Sequence, residues 1–161
     1  MIAYATSNAI LDAFFARGSS NPAIPTASQC WIGMSTTVPT MSGSGIITNF
    51  TEPASSTGYR RSRLGIQGTP ATYIMDAASA GVITNGTNFI FFDEATVGQG
   101  GFGELKWFGL FSAQTGGNPI LAGELTSAVT VPAGNVLIFR PNNLTASMEQ
   151  MSWKTSTYSM I

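Results

Sequence analysis

Three arginines fall within four positions, Arg60, Arg61 and Arg63, in a chain with only seven lysines and arginines among 161 residues. Guanidinium groups at that density can grip phosphate or an acidic sugar, or hold a carboxylate of the protein itself. Side chains alternate along a strand, so Arg61 and Arg63 are expected on one face and Arg60 on the other. The structural use is preferred. Glu52, next to Pro53, is expected to form an ion pair with Arg61 that pins the polar segment 36–56 to the strand after it.

Other groups invite chemistry and then lose it. Asp93, Glu94 and Glu104 flank a glycine loop and would serve as calcium ligands or a glycosidase carboxylate pair. No ladder of Asp, Asn and Gly ligands accompanies them, and solvated loop ends are the plainer reading. Gly98, Gly100 and Gly103 match GxGxxG, but dinucleotide binding needs a helix after the loop, and an apolar strand-like run follows instead. Asn49, Asn85 and Asn143 begin glycosylation sequons. The first residues lack the basic region and continuous apolar run of a secretory signal, so these sequons read as chance. There is no histidine, which removes imidazole acid–base chemistry and histidine metal sites. Cys30 is the single cysteine, so no intrachain disulfide and no thiolate cluster is available. No catalytic, cofactor or metal residue is assigned, and no cofactor is expected.

The elements that would position these residues are mostly strands. The stretch 105–113 alternates, with Leu105, Trp107, Gly109 and Phe111 on one face and Phe108 and Leu110 on the other. Thr115, Gly116, Gly117 and Asn118 supply a tight turn, and 120–125 returns as the partner strand. This hairpin is expected in the middle of the sheet. Further strands are expected over 29–35, 59–67, 82–92 (bent at Asn85-Gly86), 128–131, 136–139 and 144–148. Short strands with turns between them indicate an antiparallel β-sandwich or jelly roll. One helix is expected over 6–17, with Ile10, Leu11, Phe14 and Phe15 on its apolar face. The domain division is then a helix at 1–18, a β-sandwich at 19–148 and a tail at 149–161.

Only 9% of residues are charged although 43% are hydrophobic, and the net charge is −1. Such a surface repels its own copies weakly, and it offers no electrostatic case for nucleic acid or an anionic membrane. No apolar run approaches the ~20 residues needed to span a bilayer.

Several pieces, in order over 9–148, resemble a family of small virion structural proteins of tailed bacteriophages, tail-fibre-like or capsid-decorating. They are the helix ending in Phe14 and Phe15, the run from Ile32 through Ser35 to Pro39, and Glu52-Pro53 ahead of Gly58-Tyr59-Arg60-Arg61. Then come Asn85 with Ile90 to Phe92, the hairpin from Trp107 to Asn118, and Val131-Pro132-Ala133-Gly134 before Leu137. The chain departs from the pattern at 41–47, at 98–103 and after Glu149. The resemblance implies a non-enzymatic β-sandwich component of the virion, assembled in the host bacterial cytoplasm.

The first functional expectation is a capsid decoration (cement) protein that binds and stabilises the shell as a homo-oligomer, expected as a homotrimer, with the major capsid protein as partner. The alternative is a tail, baseplate or fibre subunit that contacts host glycan, with Trp31, Trp107 or Trp153 as the sugar platform. A glycan hydrolase with paired carboxylates is a third reading. Ile10, Leu11, Phe14 and Phe15 on the helix, and Trp153, Tyr158 and Met160 on the tail, are expected to contact neighbouring subunits. Deleting residues 150–161 should therefore leave the domain folded, with thermal unfolding little changed, while weakening incorporation into particles. A truncated chain that fails to fold would place the tail in the domain's own core, and one that loads onto particles as well as the full chain would end the fastening role.

Overall fold

The computed structural model describes residues 11–12, 29–66 and 69–147. Cys30, Ile32 and Met34 recur at every second position and are all buried, which makes Gln29–Ser35 a strand with one face on the core. In chain order the strands are β1 Gln29–Ser35, β2 Thr40–Met41, β3 Ile47–Thr48, β4 Ser62–Ile66, β5 Val82–Thr84, β6 Ile90–Glu94, β7 Gly103–Phe111, β8 Leu121–Val131, β9 Val136–Phe139 and β10 Thr145–Ser147. All ladders between them are antiparallel. One four-stranded sheet has the order β4-β1-β7-β8, and three two-stranded ladders join β10 to β5, β2 to β3 and β6 to β9. The mainly β, antiparallel character expected from the sequence holds. Its distribution differs from two broad sheets, being one sheet and three ribbons.

A single core cluster draws on several of these units: Ile32 and Met34 of β1, Leu64 of β4, Ile83 of β5, Ile90 and Phe92 of β6, Leu105 and Leu110 of β7, Leu137 and Phe139 of β9. Leu105 belongs to it against the sequence reading. Simple alternation had put Leu105 on the face of Trp107, Gly109 and Phe111, and the β7–β8 register shifts between Leu105 and Trp107, where regular pairing along the strand is interrupted.

Other boundaries depart from the sequence reading. The expected strand at 82–92 is two strands in different ladders, because buried Asn85 ends β5: its amide donates to the carbonyl oxygens of Asn88 and Arg140, and its Oδ1 accepts from the Leu144 N–H. The expected strands at 120–125 and 128–131 are one, β8, which runs unbroken through Thr126 and Ser127. As the outer strand of its sheet, β8 exposes those polar residues without cost, while β7 is interior. The arginine strand begins only at Ser62. The expected helix lies outside the described residues except for Leu11 and Asp12, which are helical. Leu11, expected to meet a neighbouring subunit, is buried in the chain's own core, and the Asp12 carboxylate accepts from the Ala78 N–H at 2.9 Å. Ile10, Phe14, Phe15 and the tail residues Trp153, Tyr158 and Met160 lie outside the described residues.

Core burial leaves a mark on titration. Desolvation pushes the Cys30 pKa up from its ordinary 9.0 to about 12. The unfolded thiol ionises near 9 while the folded one keeps its proton, so above that pH the unfolded state binds fewer protons and stability falls as pH rises. The slope from this group approaches ~1.4 kcal/mol per pH unit between the two values. Urea unfolding of the protein and of Cys30→Ala at pH 8, 9.5 and 10.5 should show a steeper decline for the unsubstituted chain. Equal declines would show that the thiol ionises alike in both states.

Candidate functional site

The two sheet faces are covered differently. On the face away from the core, Gly33 of β1 stands in register with Gly109 of β7. A Cβ on Gly33 would lie 2.7 Å from Glu52 Oε1, and one on Gly109 would lie 2.8 Å from the Phe50 ring. The two glycines therefore form a flat floor on which the segment 50–53 lies flush. Its backbone is stitched to the end of β1, with the Thr36 N–H donating to the Thr51 carbonyl and the Thr51 N–H to Ser35 Oγ.

Onto this floor the chain brings Glu52, Tyr59 and Arg61. Arg61 Nε donates to Glu52 Oε1 at 2.9 Å, and Nη2 donates to Oε2 at 2.7 Å, a two-pronged grip that lysine has no fork to copy. Arg61 Nη1 donates to the carbonyl oxygens of Ala113 and Gly116, at 2.9 and 2.8 Å, in the β7–β8 turn. The guanidinium carbon sits 3.3 Å from the centre of the Phe111 ring, whose edge-on neighbour is Phe50. The Arg61 side chain is only 4% exposed and that of Glu52 25%. Tyr59 OH donates to Glu52 Oε1 and accepts the Met34 N–H. Burial, and then the adjacent carboxylate, hold the Tyr59 phenol well above its usual pKa, so it stays a donor. The cluster thus ties together the 36–56 segment, the approach to β4, strand β1 and the far turn.

A cleft of about 390 Å³ opens beside the cluster, lined by Pro53, Ser55, Gln114 and Thr115 among others, with Arg60 at its side. Among the described residues Glu52 is the one carboxylate lining it, and these supply no second acid of the kind that glycoside hydrolysis by a carboxylate pair requires. Arg61 has its forks committed within the protein. Its partners Arg60 and Arg63 are exposed: Arg60 lies 3.7 Å from Asp93, and Arg63 lies over the Trp31 ring at 6.0 Å. Arg63 stands opposite Trp31, and Trp31 opposite Phe111, on whose ring Arg61 lies, so Arg61 and Arg63 share the second face as alternation predicts, the first buried and the second exposed.

The remaining candidates are dispersed. Asp93, Glu94 and Glu104 are exposed, and among the described residues no group of acids stands close enough to hold a metal. The glycine loop runs directly into β7 with no helix, and Gly101, at φ 79°, lies so close to the Val131 carbonyl that any side chain would collide with it. Asn85 of the second sequon is fully buried. Trp31 and Trp107 are half-buried, Trp107 beside Pro39, Met41 and Ile47, while Trp153 lies outside the described residues.

The fold and this cluster define an antiparallel β domain braced on its second face by one ionic tie. The family model described as Podophage GP4 fiber I protein gp80 matches residues 1–147, and the chain belongs to that family, a phage tail-fibre-like structural protein. No curated protein matches the chain.

The tie has a measurable weight. Glu52→Gln and Arg61→Gln should each destabilise the domain by about 3 kcal/mol, since each leaves a largely buried charge without its counter-ion. The double variant should cost clearly less than the sum, with a coupling of at least about 1 kcal/mol by urea unfolding. Additive losses would mean that the two side chains contribute independently.

Proposed function

We propose that this chain is a non-enzymatic fibre subunit of a bacteriophage virion, acting as a structural module in an assembly of its own copies. The observation that carries this is the family match over residues 1–147. The chemistry of the cluster supports it. Among the described residues the most buried ionic group, Arg61, is engaged with Glu52 and two backbone carbonyls, and no paired carboxylates share a cleft. The low charge supports self-assembly, because 15 charged residues in 161 leave little repulsion between copies.

The fibre reading takes precedence over capsid decoration because the matching family is one of fibre proteins. Gold-labelled antibody against the purified domain, viewed on intact virions by negative-stain electron microscopy, should mark fibres. Label distributed over the head would overturn the fibre reading in favour of a capsid decoration protein.

A further inference from the structure

The β6–β9 ribbon turns one face to the core and the other outward. Inward are Ile90, Phe92, Leu137 and Phe139, all buried. Outward are Phe89, Phe91, Val136 and Ile138, which are 47%, 58%, 42% and 43% exposed. Phe89 and Phe91 stack on each other at 5.8 Å, and Phe91 stands directly opposite Ile138. A groove of about 590 Å³ runs along this face, lined by Phe89, Val129, Val136, Ile138 and Arg140 with Leu137 beneath. A continuous apolar strip of this kind on a small domain marks a contact surface.

The charges at its ends say what the contact is. Glu94 lies opposite Val136 in the ladder, and directly paired residues share a face. Arg140 follows Phe139, lines the same groove and is exposed. The strip is thus acidic at one end, basic at the other and uncharged between. Neither Glu94 nor Arg140 makes an ion pair with another described residue.

We infer that this face is the docking site for the same face of a second copy of the chain, across a two-fold axis that lies in the interface and crosses the strands. That rotation reverses strand direction. It lays apolar strip on apolar strip and sets Glu94 of each copy beside Arg140 of the other. The alternative axis, along the strands, would place like charges together, so the end charges select one arrangement. The inference deepens the self-assembly in the proposed function and leaves open to separate test whether the assembly is a fibre.

The 161-residue chain should sediment at micromolar concentration as a dimer of its 16.9 kDa mass, or as a multiple of that dimer. Glu94→Arg alone and Arg140→Glu alone should each weaken the dimer by about tenfold or more, since each replaces two attractive contacts by two repulsive ones. The two reversals combined in one chain should restore it, and so should an equimolar mixture of the two single variants. Both positions are exposed, so thermal unfolding measured at dilution where the chain is monomeric should be unchanged in the variants. If a reversal does lower it, Glu94→Gln and Arg140→Gln should still weaken association. A monomer at all concentrations, association indifferent to every one of these changes, or failure of the mixture to recover would overturn the inference. Gold label on the head would leave it standing, because it concerns only how copies meet.

Discussion

A guanidinium taken out of water costs several kcal/mol unless its protons find acceptors, and the second face of the four-stranded sheet is arranged around meeting that demand for Arg61. One fork holds Glu52, another nitrogen holds two carbonyls of a turn more than fifty residues away in sequence, and the Phe111 ring lies below. Each partner is fixed by something else. Glu52 rests on Gly33, Tyr59 bridges Glu52 to the backbone of β1, and Phe50 wedges over Gly109. Removing any of these would leave a charge or a donor stranded, so the cluster makes distant segments depend on one another in a way that apolar contact alone does not.

The two faces of the domain therefore obey different rules. The core face is an apolar interior in which Leu, Ile and Phe of one sheet and several ribbons interdigitate. Such an interior accepts residues of similar size. The braced face depends on geometry, meaning a fork, a carboxylate, two carbonyls and two positions where no side chain fits. The aromatic ribbon of β6 and β9 is a third kind of surface, finished on its inner side and unfinished on its outer.

Periodicity in the sequence carries the strands whose inward residues alternate cleanly, and β1 and β9 match their expected spans for that reason. It fails where side chains act on the backbone. Nothing in the run 82–92 announces that the Asn85 amide will bind carbonyls from the chain around Arg140, which divides the run between two ladders. It also fails at an outer strand, where Thr126 and Ser127 looked like a break but lie within β8. Glu52 and Arg61 are legible as a pair because charges are so scarce. The carbonyls of Ala113 and Gly116 are not, because every residue has a carbonyl and side-chain identity does not mark the one that is used. The glycine floor is likewise silent until the register of β1 and β7 is known.

The two turns on this side of the domain differ in what they permit. The turn after β7 is gripped by Arg61 through the carbonyls of residues 113 and 116, so its length and path are fixed by a side chain from elsewhere. Among the described residues the tip joining β2 and β3 bonds only to itself, through Ser42, Ser44 and Ile46, and its Gly43 and Gly45 face open space. An insertion in the first would pull apart the brace. An insertion in the second would extend a free finger, which makes the 42–45 tip the natural place on this domain to carry an added peptide or to vary without disturbing the rest.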